Sequence, residues 1–152
     1  MKTVTGDLIQ LAKKGKFDLI VHGCNCHCRM GSGIAKAIRA HFPEAYKADC
    51  KTAPGDRSKL GTYTSCQIAT ASGILTVVNG YTQFDYGTDS LKADYSAIRN
   101  VIKALKKDFA GQRIGYPKIG AGLAGGDWPT IESVIEEELQ GEDHTLVIFD
   151  QS

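Results

Sequence analysis

The chain has 152 residues, of which 42% are hydrophobic and 23% are charged, and its formal net charge is +1. This length suits one domain with a real hydrophobic core, and the composition excludes a disordered or low-complexity chain. The balanced charge argues against a protein that attracts nucleic acid or an anionic membrane through a global field.

No apolar run approaches the roughly 18 residues of a membrane span, and the first residues lack the apolar core of a signal peptide. The five cysteines are an odd number. Because a domain of this size needs no disulfides, we expect reduced thiols and a cytoplasmic protein.

The first half of the chain alternates predicted strands and helices. Apolar and β-branched residues favour strands, and apolar residues three or four apart favour helices. The predicted elements are a weak edge strand at 2–5, helical turns at 8–14, a buried strand at 17–24, a helix from Ile34 to Pro43 with Ser32 as its N-cap, and a further turn at 44–50.

The second half begins with a predicted hairpin and contains the clearest helical pattern. Strands at 61–69 and 74–80 flank a short turn, and a loop follows at 81–88. A strand at 113–116, a helix through Ile131 and Leu139, and a last strand at 145–149 complete the pattern. The strong helical stripe consists of Leu91, Tyr95, Ile98, Ile102, Leu105 and Phe109.

This order of elements predicts an α/β protein, a three-layer α/β/α sandwich with a mixed central sheet, forming a single domain over residues 1–152. Ligands of such folds bind beyond the carboxyl ends of the strands. Both glycine-rich loops of the chain follow predicted strands and precede helices, which places them at that edge.

The two loops are Met30–Ile34 and Lys118–Trp128. Glycine has no Cβ, so such loops bring backbone amides close to a ligand, and the following helices add the positive ends of their dipoles. We therefore predict that the two loops face each other across one diphosphate.

Three stretches together resemble the macro domain, a module that binds ADP-ribose. They are Gly6-Asp7-Leu8, Val21–Asn25 continuing to Gly31–Ala35, and Pro117–Leu123. The resemblance covers nearly the whole chain in the right order, which makes it more specific than one glycine loop.

The resemblance implies a role for each matched residue. Asp7 and the Leu8 amide would bind adenine, Phe149 would pack on it, and Asn25 would bind a hydroxyl of the distal ribose. The segment Gly31, Ser32, Gly33 and Ile34 would line the distal ribose and the diphosphate. The diphosphate would be wrapped by the backbone of Ile119, Gly120, Ala121, Gly122, Leu123 and Ala124.

The run His22-Gly23-Cys24-Asn25 looks like the branch that removes phosphate from ADP-ribose 1″-phosphate, without a metal or cofactor. The deacylase branch, an ADP-ribosyl hydrolase, uses a lysine and an aspartate that are missing at 81–85 and at Ala124. A module that only binds ADP-ribose is the further alternative. The partners implied are ADP-ribose or a 1″-derivative and an ADP-ribosylated protein, with no membrane or nucleic acid.

His22, Asn25 and Asp127 are the candidate catalytic residues, and two of them have an ordinary structural alternative. His22 is either a general acid or base, or a histidine packed at a strand end. Asp127 either activates a water or caps the helix that begins at Trp128.

Several other side chains are weaker candidates for site residues. The alternating Cys24, Cys26 and Cys28 with His27 do not match zinc spacing, so we expect thiols rather than a metal site. Arg29 and Lys118 are second-rank phosphate contacts, and Tyr81 and Phe84 either flank the ribose or pack in the core.

Overall fold

The computed structural model describes residues 1–87 and 89–149. Thr88, the end of the predicted loop at 81–88, lies outside the described residues, as do residues 150–152. The strands are β1 (Lys2–Gly6), β2 (Leu19–Cys24), β3 (Tyr63–Thr70), β4 (Gly73–Tyr81), β5 (Ile114–Tyr116) and β6 (His144–Phe149). The helices are α1 (Leu8–Lys13), α2 (Gly33–His41), α3 (Pro43–Cys50), α4 (Tyr95–Asp108) and α5 (Trp128–Glu138), with a 3₁₀ turn at Arg57–Lys59.

The strands form one mixed sheet in the order β1-β6-β5-β2-β4-β3. Neighbouring strands are parallel except for β3, which pairs antiparallel with β4 as the predicted hairpin requires. The carboxyl ends of β1, β2, β4, β5 and β6 therefore lie along one edge of the sheet, which we call the carboxyl edge.

Helices cover both faces of the sheet, so the predicted three-layer sandwich is confirmed. Helices α4 and α5 pack on one face through residues such as Ile98 and Ile131. Helices α1, α2 and α3 pack on the other face through residues such as Ile9 and Ile38. Because β2 is central, both of its faces are buried, which explains its nearly continuous apolar sequence. None of the helices in the described residues has the length and apolar character needed to cross a bilayer.

Helix α4 is shorter than the stripe predicts. Asp94 caps the helix by accepting a hydrogen bond from the Ala97 amide at 2.9 Å, so the helix begins at Tyr95. Leu91 lies before this cap with 56% of its surface exposed, and its assignment to the helix was wrong. Leu91 precedes Tyr95 by four residues, which is the spacing of a helical stripe, although the helix begins only at Tyr95.

This difference predicts unequal effects of two alanine substitutions. Ile98→Ala removes a fully buried side chain from α4 and should lower the free energy of unfolding by about 2–5 kcal/mol in urea titrations. Leu91→Ala is the matched control, with an expected change below about 0.5 kcal/mol. Equal losses for the two variants would contradict the observed start of α4.

Candidate functional site

The carboxyl edge brings together the two ends of the chain. In the parallel pair β1–β6, Gly6 is opposite Phe149, so Asp7 directly follows a residue that neighbours Phe149. Phe149 is 63% exposed although it is a large apolar residue. An exposed aromatic ring beside a carboxylate offers both a stacking surface and a hydrogen-bond acceptor for a planar, amino-bearing ring.

Asp7 already has one local task. Its Oδ1 accepts a hydrogen bond from the Gln10 amide at 3.1 Å and so caps α1. A carboxylate has further acceptor positions, so this cap leaves Asp7 able to accept a hydrogen bond from a ligand. The Leu8 side chain is buried in the core, which leaves only its backbone to meet a ligand.

The loop after β2 is shaped by Asn25. Its Nδ2 donates to Arg29 O at 2.9 Å, and its Oδ1 accepts from the His27 amide at 2.9 Å. Each of these atoms keeps one further hydrogen-bonding position. Asn25 thus fixes the loop that leads to the early glycines. Of the three predicted catalytic residues, it is the one whose side chain lies in that loop.

The early glycine loop is open. Gly31, Ser32 and Gly33 are all exposed, and a Cβ on Gly31 would meet nothing within 4 Å. Gly33 has φ of +58°, which favours glycine at the first position of α2. Ser32 occupies the N-cap position, but its side chain makes no capping hydrogen bond. Ile34 is half-buried.

The late glycine loop is held by its own backbone. The Gly126 amide donates to Gly120 O at 2.7 Å, and the Gly125 amide donates to Gly122 O at 3.1 Å. Gly120 has φ of +73°, which suits a glycine at this tight turn. Ile119 and Ala124 turn their side chains into the core, whereas Leu123 is 51% exposed, so the loop presents its backbone, small residues and the Leu123 side chain to solvent.

Three successive amides of this loop are free. The N–H groups of Gly122, Leu123 and Ala124 donate to no acceptor in the described ranges 1–87 and 89–149. Gly122 is exposed, and a Cβ placed on it would meet nothing within 4 Å. Free amides on an open turn form a concave donor site for an anion.

The two glycine loops meet. A Cβ on Gly33 would lie 3.3 Å from Leu123 Cδ1, so the start of α2 and the late loop are in contact. The first amides of a helix lack intrahelical acceptors and carry a partial positive charge. Amide donors from both loops therefore border the same space above the carboxyl edge.

His22 lies beneath this edge and is completely buried. Asn79 Nδ2 donates to Ala45 O and to Thr64 Oγ1, so Asn79 Oδ1 is the acceptor and His22 Nε2 donates to it at 2.7 Å. The second ring nitrogen lies 3.8 Å from Cys24 Sγ. Burial lowers the pKa of His22 to about 4, so the ring is neutral near pH 7.

This environment favours the structural alternative for His22. Its Nε2 proton is donated to Asn79, and its ring has no exposed surface that could contact a water or a ligand. The sequence alone does not distinguish a catalytic histidine from a packed one, because either would stand at the end of a buried strand.

Further buried polar groups lie beside His22, and sequence patterns did not indicate them. Tyr81 is fully buried, which supports packing over contact with ribose, and its hydroxyl donates to Asp49 Oδ1 at 2.7 Å. Burial raises the pKa of Asp49. Lys59 is 7% exposed and donates to Thr52 Oγ1 at 2.8 Å. These groups support the loop after β2 from below.

Asp127 caps α5. Its Oδ2 accepts from the Thr130 amide at 3.1 Å and from Thr130 Oγ1 at 2.6 Å, and its own amide donates to Tyr95 Oη at 3.0 Å. The carboxylate thus turns toward its own helix, and the backbone amide of Asp127 links the start of α5 to α4. This arrangement favours the capping role that the sequence left open beside catalysis.

The cysteine-rich loop shows thiols in separate environments. Cys26 is buried against Tyr81, whereas Cys28 is half-buried with its Sγ 3.4 Å from Asp49 O. Within the described residues, no three side chains of His, Cys, Asp or Glu converge as a metal ion would require. Arg29 is exposed and lies over the ring of Tyr86.

The comparisons with known proteins agree with this architecture. The model of the Macro domain matches residues 21–135, and the chain therefore belongs to the Macro domain family. A 17.5 kDa protein of Enterobacteria phage T4 is 35% identical over 142 residues, spanning 90% of this chain and 88% of the relative.

A second relative is the ADP-ribose 1″-phosphate phosphatase of Candida albicans. It is 28% identical over 143 residues, spanning 88% of this chain and 90% of the relative. Among solved structures, the macrodomain of Mycobacterium tuberculosis DarG has a TM-score of 0.75 and 21% identity, covering 99% of this chain and 97% of the other. This likeness confirms the fold.

The burial of His22 predicts a pH dependence of stability. Its folded-state pKa of about 4 lies below the ordinary value of 6.5, so the unfolded chain takes up the proton first as the pH falls. The contribution is therefore intact above pH 6.5 and is lost toward pH 4, with about 2 kcal/mol lost between pH 7 and 5.

Urea titrations at several pH values measure this effect. We expect His22→Gln to be less stable at pH 7 but to lose the part of the pH slope that His22 causes. His41→Gln changes an exposed histidine and should keep the wild-type slope. A His22→Gln slope identical to that of the wild type would show that His22 does not resist protonation.

Proposed function

We propose that the chain binds ADP-ribose with the diphosphate between the two glycine loops. The observation that carries this proposal is the contact between Gly33 and Leu123, which brings free amides of both loops to one space. Backbone amides and a helix N-terminus can attract a diphosphate without cationic side chains, which suits a chain whose formal net charge is only +1.

The sheet order supports one orientation of the ligand. Asp7 and Phe149 lie at the β1–β6 end, the late loop follows β5, and Asn25 follows β2. Adenine would accordingly bind at the β1–β6 end, the diphosphate over β5, and the distal ribose near Asn25. Membership in the Macro domain family supports the same assignment.

We propose further that the protein hydrolyses ADP-ribose 1″-phosphate to ADP-ribose and phosphate. The relative from Candida albicans carries this activity in its name, and the His22–Asn25 run matches that branch. Water would attack the terminal phosphorus in line, and loop amides would stabilise the equatorial oxygens. Asn25 would orient the ribose, so most of the rate enhancement would come from positioning.

The same site supports a second reaction, attack of water at C1″, which would make the protein an ADP-ribosyl hydrolase. An open groove beside the ribose end of the site favours this alternative, since a phosphate group alone does not need such a space. His22 and Asp127 remain the candidates for the base in either reaction, although the burial of His22 and the capping bonds of Asp127 count against both. The Asn25 amide is not basic, so Asn25 is assigned only to orienting the ribose.

Valine at position 122 should block binding. Gly122 is exposed on the late loop and its missing Cβ faces open space, so Gly122→Val fills the proposed cradle without a clash inside the fold. We expect ADP-ribose affinity, measured by calorimetry, to fall at least tenfold.

The control is Ala110→Val, which places a valine on an exposed turn after α4. It should bind like the wild type, and both variants should keep nearly the same unfolding midpoint. Unchanged affinity of a folded Gly122→Val protein would refute the phosphate cradle.

Release of phosphate from ADP-ribose 1″-phosphate tests the activity, and Asn25→Ala tests the site. The wild type should release phosphate, and Asn25→Ala should lower turnover at least tenfold while destabilising the fold by about 1–2 kcal/mol through its lost loop hydrogen bonds. Asn100→Ala, on the exposed side of α4, is the control and should change neither quantity.

Two results would count against these assignments. Tight binding of ADP-ribose by a wild type that releases no phosphate would replace the phosphatase with the other reaction or with a binding module. Loss of Asn25→Ala activity only in proportion to its loss of folded protein would remove Asn25 from the site.

A further inference from the structure

An open groove of about 560 Å³ lies next to the proposed ribose end of the site. Its lining comes from three parts of the chain, namely Arg57 of the 3₁₀ turn with Leu60, residues 84–85 after β4, and residues 91–96 at the start of α4. Arg57 and Lys92 belong to none of the motifs recognised in the sequence.

The groove walls are fastened to both glycine-loop regions. The Cys26 amide donates to Phe84 O at 3.0 Å, which ties one wall to the loop after β2. The amides of Lys92 and Ala93 both donate to Ala124 O, at 2.8 and 3.2 Å, which ties the other wall to the late loop. The groove walls are therefore anchored to the same two loop regions that form the proposed ADP-ribose site.

The sheet order sets the direction from that site to the groove. In the order β1-β6-β5-β2-β4-β3, the proposed adenine, diphosphate and ribose positions run from the β1–β6 end toward β2. The next strand is β4, and residues 84–85 follow it. A group attached to the far side of the ribose would thus extend toward the groove.

Among the described residues that line the groove, Arg57 is a cation without a carboxylate partner, and Asp85 is an exposed carboxylate whose Oδ1 lies 3.1 Å from His27 Nε2. The Arg57 guanidinium lies 3.8 Å above the Phe84 ring centroid, and no carboxylate of residues 1–87 and 89–149 comes within 4 Å of it. Asp94 accepts from the Ala97 amide as the cap of α4, and Lys92 pairs with Asp89 at 3.2 Å.

The ring stacking holds the planar guanidinium flat and leaves its N–H groups free at the rim. Such an arrangement suits paired hydrogen bonds to a carboxylate. Leu91, 56% exposed, adds an apolar surface to the same groove.

Resting on the proposed function, we propose that this groove binds the polypeptide that carries ADP-ribose, with Arg57 pairing to a carboxylate near the modified residue. A nucleic acid would need several cations along its phosphates, and the groove offers one that is unpaired. A lone phosphate would leave most of the groove empty.

Binding measurements test the groove without requiring turnover. The probes are free ADP-ribose, an acidic peptide bearing ADP-ribose through a non-hydrolysable linkage, the same peptide with its carboxylates replaced by amides, and an oligonucleotide bearing ADP-ribose. The wild type should bind the acidic conjugate about tenfold more tightly than free ADP-ribose, since charge-assisted hydrogen bonds have that magnitude.

Arg57→Gln should remove this tenfold gain and leave the affinity for free ADP-ribose unchanged. Arg39→Gln is the matched control, because Arg39 lies 3.9 Å above the ring of Tyr46 on α2 and α3 and does not line the groove. It should keep the gain, and the amide peptide should lose it with the wild type.

Each other outcome is informative. A conjugate that binds no better than free ADP-ribose, or a gain that survives Arg57→Gln, would overturn the groove proposal while leaving the ADP-ribose site intact. A larger Arg57-dependent gain with the oligonucleotide would overturn the choice of a polypeptide. Loss of binding to free ADP-ribose by the wild type would instead refute the proposed function.

Discussion

The proposed site depends on parallel strand pairing, which gathers the loops after β1, β2, β4, β5 and β6 at one edge of the sheet. In the late loop the N–H groups of Gly122, Leu123 and Ala124 find no acceptor among residues 1–87 and 89–149, and the early loop opens α2, whose first amides lack intrahelical acceptors. An unpaired amide in a protein is stabilised by water or by an anionic ligand. Because this attraction comes from the backbone, it needs small residues and exact placement of the loops, and it needs no cationic surface.

The placement of the loops is secured from below. Under the loop after β2, buried hydrogen bonds join β2 and β4 to α3, with Asn79 linking His22 to Ala45. Polar groups are costly to bury without partners, so the hydrogen bonds of Asn79 to His22, Ala45 and Thr64 hold one arrangement of the backbone above them. The same burial keeps His22 neutral. His22 therefore has a supporting role, which its position at the end of a strand does not reveal in the sequence.

The groove beside β4 extends the proposed site beyond the nucleotide. Its walls share hydrogen bonds with the same two loops, so the position of the groove is tied to that of the proposed nucleotide site. This connection links the choice of reaction to the choice of substrate. A protein that only removed phosphate would need the loops, whereas one that acts on a modified polypeptide would also use Arg57.

The sequence by itself determined the order and type of nearly every element, because hydrophobic periodicity and glycine punctuation are local signals. It also determined the two glycine loops, since a left-handed backbone such as that at Gly120, with φ of +73°, favours a residue without a Cβ. The sequence did not predict the start of α4, because Leu91 has the helical spacing although the Asp94 cap lies three residues after it.

Only the tertiary structure decided what the polar residues do. His22 is a buried hydrogen-bond donor because Asn79, 57 residues away, is its partner in the sheet. Asp127 is a cap because its carboxylate turns to Thr130. Arg57 carries no signal along the chain, since its availability depends on where Phe84 and the neighbouring carboxylates lie in space. Periodicity records which side of an element is buried, but the partner of a polar atom is fixed only when distant segments pack together.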